Sequence, residues 1–209
     1  MKTILCYGDS NTHGSNPSGS RYGPHERWAG VLRDELGQDY WVVEEGLGGR
    51  TTVFPDPVEG EHKNGKAHLL VSLESHKPID LVVILLGTND LKMRFNVPAQ
   101  DVAGGAGVLV ELVQRSNCGP DGKAPRVLLI APPPFAPLTG FTEMFQNGAE
   151  KSFQLGRCYQ ETAKLLGCDF FNAGDVVVSS PIDGIHWEKA EHAKLGKALA
   201  KYIKNQFER

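Results

Sequence analysis

The chain has 209 residues, 40% of them hydrophobic and 22% charged, with a formal charge of −3. That length predicts one domain, residues 1–209, with a sizeable core. The even charge balance, without a basic block, argues against nucleic acid as a partner, and no run reaches the roughly 18 apolar residues of a membrane span. "MKTILCYGDS" lacks a long apolar stretch and a small-residue cleavage site, so no signal peptide is expected.

"KTILCYG" reads as the first strand, followed at once by the turn-like "GDSN" around Ser10. "RWAGVLRDEL" places Trp28, Val31, Leu32 and Leu36 near helical spacing. "YWVVEE" is a second strand, followed by the Gly-rich loop "GLGGRTT" and a polar, Pro-bearing stretch to about Asn64. A helix is expected over Gly65 to His76, ended by Pro78.

"IDLVVILLG" is continuously apolar past Asp80 and rich in β-branched residues, as in a strand covered on both faces. A helix from about Pro98 to Ser116 follows, with Asp101 suited to its positive end; Gly104, Gly105 and Gly107 weaken it or permit close packing. "APRVLLIAPPP" is a fourth strand with a proline stop, and "FAPLTGFTEMFQNG" a long aromatic loop. "AEKSFQLGRCYQETAKLLG" reads as one helix, with Phe153, Tyr159 and Leu166 among its apolar residues. "CDFFNAG" is a fifth strand; after it come "DGIH" and a terminal helix from about Glu188 to Phe207.

Five alternations of strand and helix predict an α/β fold: a three-layer α/β/α sandwich on a mostly parallel five-stranded central sheet. Ligands in such folds bind beyond the carboxyl ends of the strands. Those ends carry Ser10, the Gly48-Gly49 loop and Asn89, and the loop before the last helix carries Asp183 and His186.

Hydrolysis through a serine needs a nucleophile, a base, a group that orients the base, and donors for an oxyanion. Ser10 can attack, His186 can take its proton, and Asp183, three residues earlier, can hold the imidazole tautomer. The Ser10 N–H, the Gly49 N–H and the Asn89 amide can receive the oxyanion. Taken singly, each block has a plainer reading: Gly-Asp-Ser and Asp-Gly are common turns, Asn89 suits a helix cap, and a histidine before a helix can be structural. Their convergence on one sheet edge favours chemistry.

Other motifs are missing. There is no G-x-S-x-G elbow, no phosphate-binding G-x-x-x-x-G-K-[ST], no H-E-x-x-H, and "GLGGRT" lacks the third glycine of a dinucleotide fingerprint. Cys6, Cys118, Cys158 and Cys168 form no C-x-x-C pair and read as reduced thiols of a cytoplasmic protein; no metal or cofactor is expected. His25, His62, His68, His76 and His192 read as surface residues, whereas His13, three residues past Ser10, reads as part of the site entrance.

Together "GDSN", the Gly loop, "GTND" and "DGIH" resemble the four blocks of the SGNH (GDSL-type) hydrolase family, in order and across nearly the whole chain. "EEGLGGRTT", "DLVVILLGTND", "APPP" and "DGIH" are further similar to its bacterial arylesterase/acyltransferase subgroup. The resemblance implies a flavodoxin-like fold and a cofactor-free esterase for short-chain and aryl esters. It also implies Gly49 over Gly48 as the donor, acyl transfer to alcohols or hydrogen peroxide in some members, and homo-oligomers whose loops narrow the site. The aromatic loop Phe135 to Phe145 would do so here, with Phe135 and Phe145 against substrate. Asn11 stands where the family expects Leu and His13 where the subgroup often has Trp; both are assigned to substrate binding. The same blocks occur in deacetylases of acetylated carbohydrates, so that reading stays open. Outside enzymes, a catalytically silent ester- or carbohydrate-binding domain is opposed by the intact set of residues.

Overall fold

The computed structural model describes residues 1–207. The strands are β1 (Lys2–Gly8), β2 (Tyr40–Gly46), β3 (Leu81–Leu85), β4 (Arg126–Ala131) and β5 (Asp169–Asn172). The helices are α1 (Ser10–His13), α2 (Trp28–Leu36), α3 (Gly65–His76), α4 (Ala99–Gln114), α5 (Gly148–Ser152), α6 (Leu155–Leu166) and α7 (Lys189–Phe207). The sheet order is β2-β1-β3-β4-β5, every neighbouring pair parallel. This is the flavodoxin-like doubly wound order, whose crevice lies at the carboxyl ends of β1 and β3.

The period of two in each strand splits the core into two layers. Leu5, Tyr7, Val82, Ile84 and Leu129 pack with Leu69 and Leu73 of α3, Val102 and Leu109 of α4, and Tyr159 of α6. Ile4, Cys6, Val83, Leu85 and Leu128 pack on the other face with Trp28 and Leu32 of α2 and Leu195 and Leu199 of α7. Each fully buried Leu or Ile contributes roughly 1.5–3 kcal/mol, so the strand ends form a firm platform for the loops.

The expected single helix around Phe153 is two, α5 and α6. Ser152 Oγ donates to the Ala149 carbonyl, the one a continuing helix would use for the Phe153 N–H, and accepts from the Phe135 N–H at 3.0 Å. The side chain thereby competes with the helix ladder, and Phe153 is left exposed. Two of the three glycines of α4 serve close packing: a methyl at Gly105 would run into Thr52 and one at Gly107 would meet Thr162 at 2.9 Å, whereas Gly104 faces open space.

His192 is not a surface residue; it is fully buried where α2 meets α7. Its Nδ1 accepts the Trp28 N–H at 3.3 Å, and the ring lies between Tyr22 and Trp187. Burial, helped by nearby His186, lowers its pKa from 6.5 to about 3. Between those values the unfolded chain takes a proton that the folded chain refuses. Stability owed to the neutral ring is therefore present above pH 6.5 and lost as pH falls toward 3. The stability gap between wild type and His192→Gln, read from urea midpoints, should narrow by about 2–3 kcal/mol between about pH 7 and about pH 4.5. A gap independent of pH contradicts this account.

Candidate active site

β1 ends at Gly8, and Asp9 caps the short helix α1 by accepting the Asn11 N–H at 3.0 Å. Ser10 is the first residue of that helix, where N–H groups have no partner within the helix. Asp9 is buried, and burial raises its pKa to about 6 against the opposing pull of the Asn11 N–H, His186, Thr88 and Arg50.

The Gly loop is bound to the same strand end. Leu47 N–H and the Arg50 guanidinium both donate to the Gly8 carbonyl, at 3.1 and 2.9 Å. The guanidinium also bonds the Glu45 carbonyl and sits 4.2 Å from the centre of the Tyr7 ring. Arg50 N–H closes a tight turn on the Leu47 carbonyl, with Gly49 at φ +80. A side chain there would be strained and would run into the Glu59 carboxylate.

Asn89 opens a one-turn 3₁₀ helix, Asn89–Leu91, just beyond β3. One N–H of its amide donates to the Arg50 carbonyl at 3.1 Å, which aligns the amide with the Gly loop and leaves its second N–H for another acceptor. Neighbouring Asp90 is buried, accepts from Thr52 N–H and Oγ1, and is raised to about 7 chiefly by burial. Asp9 and Asp90 thus act opposite to His192: the stability of their neutral forms is present at low pH and lost as pH rises through about 6 and about 7.

Asp183 Oδ1 accepts the Ile185 and His186 N–H groups at 2.8 and 2.9 Å, and Oδ2 meets His186 Nδ1 at 2.6 Å. Burial pushes this carboxyl up, but the three hydrogen bonds outweigh it and hold the pKa below the usual value. An ionised Asp183 only accepts, so the proton belongs on Nδ1 and the Nε2 lone pair is free to act as a base. Gly184, at φ +88, lets the loop press on Ala136–Leu138, where a methyl would meet backbone at 2.9 Å.

Ser10, Gly48, Gly49, Asn89 and His186 line one cavity of about 230 Å³. Phe141, Met144, Phe145 and Ile185 form its apolar wall, with Phe141 edge-on to the His186 ring and to Phe145. Asp183 lies behind His186. Of the four residues assigned to substrate binding, Phe145 reaches the cavity. Phe135 stands behind it, 5.3 Å from the Phe145 ring centre. The buried Asn11 donates to the Ile185 carbonyl at 3.4 Å, tying α1 to the Asp183–His186 loop. His13 is not among the lining residues.

Sequence reasoning missed Glu59 and Lys92, which also line the cavity. Lys92 is buried and paired with Asp56 and Glu59, while Arg94 bonds Asp56 at 2.8 Å. Nothing in "VEGEHK" or "LKMR" taken alone marks these residues for the cavity. Among the described residues no cluster of His, Cys, Asp and Glu is arranged to hold a metal ion, and no helix is long and apolar enough to cross a membrane.

A doubly wound sheet carrying Ser10, a His–Asp pair and candidate oxyanion donors at its carboxyl edge defines a hydrolase of the SGNH type. The chain belongs to the GDSL-like lipase/acylhydrolase family, whose sequence model matches residues 6–193, and with it to the carboxylic ester hydrolases. Among solved structures it is similar to Est24, a carbohydrate acetylesterase from Sinorhizobium meliloti, at 40% identity and a TM-score of 0.95, covering 99% of this chain and 100% of that one. The M. smegmatis aryl esterase is 41% identical, with a TM-score of 0.92 and coverage of 98% and 99%. A second S. meliloti protein, a carbohydrate acetylesterase family member, is 36% identical, with a TM-score of 0.95 and full coverage of both chains. No curated protein matches the chain.

Proposed function

We propose that this protein is a serine esterase that hydrolyses short-chain or aryl carboxylic esters through an acyl-enzyme on Ser10. The observation that carries the reading is the meeting of Ser10, His186, Gly49 and Asn89 around one small, largely apolar cavity. His186, held by Asp183, takes the Ser10 proton as Oγ attacks the ester carbonyl. The oxyanion rests on the Ser10 and Gly49 N–H groups and the Asn89 amide. His186 then protonates the leaving alcohol, and water or another alcohol releases the acyl group. No metal or organic cofactor enters these steps.

The rest of the reading is a single domain, residues 1–209, in a cytoplasmic homo-oligomer without nucleic acid or membrane partners. The free cysteines support a reducing compartment. The aromatic wall, by shielding the acyl-enzyme from water, favours transfer to alcohols or hydrogen peroxide. Release of acetyl groups from carbohydrates is a second reading, favoured by the likeness to the acetylesterases.

A substrate panel tests these. The rate constant kcat/KM on p-nitrophenyl esters should peak at acetate to butyrate and fall by at least about tenfold at octanoate, because Phe141, Met144 and Phe145 close the cavity. That factor corresponds to about 1.4 kcal/mol at the transition state. Higher kcat/KM on acetylated sugars than on aryl acetates moves the assignment to a deacetylase. With a dilute alcohol acceptor, an ester-to-acid product ratio no better than competition with water removes the transferase activity.

A further inference from the structure

We propose that Lys63 is a positioning residue that aims the Gly49 N–H at the oxyanion. The inference deepens the reading above and rests on its assignment of that N–H as an oxyanion donor.

Lys63 ends a 3₁₀ turn, Glu61–Lys63, and grips the Gly loop at two points. Its ammonium donates to the Gly48 carbonyl at 2.7 Å. Its own carbonyl accepts the Thr51 N–H at 2.9 Å. One residue therefore spans the segment from Gly48 to Thr51, with Gly49 in the middle.

The Gly48 carbonyl and the Gly49 N–H belong to the same peptide unit. That peptide is trans, since among the described residues the cis bond is Lys77-Pro78. In a planar trans peptide the C=O and N–H point in opposite directions. Holding the carbonyl toward Lys63 thus turns the Gly49 N–H away from Lys63. Two glycines in succession leave this peptide free to rotate unless something outside it fixes its orientation.

The side-chain stem adds a second restraint. A methyl on Gly49 would lie 3.3 Å from Lys63 Cε and 3.4 Å from Cδ, so the stem passes directly along this residue. The neighbouring Glu59 carboxylate is engaged by Lys92 and Arg94. The Lys63 ammonium is left to the Gly48 carbonyl.

The test compares Lys63→Met, which keeps the stem without the donor, with Lys63→Arg, which keeps a donor. Removing an oxyanion donor outright costs ~100- to 1,000-fold in kcat. Loosening one should cost about tenfold, so Lys63→Met is expected to lose about tenfold in kcat on p-nitrophenyl acetate, with KM and melting temperature nearly unchanged. The affinity of a phenylboronic acid, which forms a tetrahedral adduct on the serine, should fall by the same factor. Lys63→Arg should recover most of both losses.

An unchanged kcat in Lys63→Met overturns the proposal. So does a loss expressed in KM alone, or an equal loss in Lys63→Arg. Should Lys63→Met unfold, Lys63→Ala measured with and without added ethylammonium replaces it, and failure of the cation to raise kcat overturns the proposal. Asn89→Ala separates the levels: if it costs less than about tenfold, the oxyanion assignment itself fails, whereas a full loss there beside an inert Lys63→Met defeats only the role of Lys63.

Discussion

Replacing Ser10 by alanine should lower kcat on p-nitrophenyl acetate by roughly 10⁴- to 10⁶-fold while the protein stays folded. The proposed mechanism forms its covalent bond through Ser10 Oγ. Ser15 lines the same cavity but lies beyond the end of α1, outside the capped turn. The fold should tolerate the change because Asp9, not Ser10, caps the helix, and its bond to the Asn11 N–H survives. Alanine also favours the helical conformation that residue 10 already adopts. Circular dichroism and the melting temperature check the fold, and progress curves corrected for spontaneous hydrolysis check the rate. Residual turnover within about tenfold of wild type contradicts the assignment.

Asp183→Asn should cost on the order of 10⁴-fold in kcat, with KM little changed. An asparagine can keep the Oδ1 contacts to the Ile185 and His186 N–H groups, so the loop and Gly184 should hold their places. What changes is the atom facing His186 Nδ1, 2.6 Å away. An amide NH₂ there donates instead of accepting, so the ring proton moves to Nε2. The imidazole then presents a proton to Ser10 where the reaction needs a lone pair. The carboxylate also stabilises the imidazolium formed on proton transfer, and that support is lost. Steady-state kinetics beside Asp183→Ala separate tautomer control from simple packing. A loss below about tenfold in Asp183→Asn means that Asp183 is only a turn residue.

Much of this arrangement is legible in the residues. β3 is readable because a continuous apolar run rich in β-branched residues fits a strand buried on both faces. The bounds of α3 matched because Asn64 caps it and Lys77-Pro78 stops it. The four loops could be placed at one edge because parallel topology leaves no other place for the turns that follow the strands.

The missed features depend on contacts distant in sequence. The break between α5 and α6 needs the Phe135 N–H on Ser152. The burial of His192 needs the backbone of Trp28, and nothing in "KAEHAKLG" announces it. Lys92 reads as a surface charge until the 51–64 segment folds over and brings Asp56 and Glu59 to it. Composition also cannot tell Phe135 from Phe145, one behind the cavity wall and one in it.

The most direct measurement is covalent labelling with a fluorophosphonate, followed by peptide mass spectrometry. One adduct per chain, on Ser10, is expected in the wild type, with slow labelling in His186→Ala and none in Ser10→Ala. No adduct on the folded wild type, or an adduct on another residue that persists in Ser10→Ala, contradicts the account.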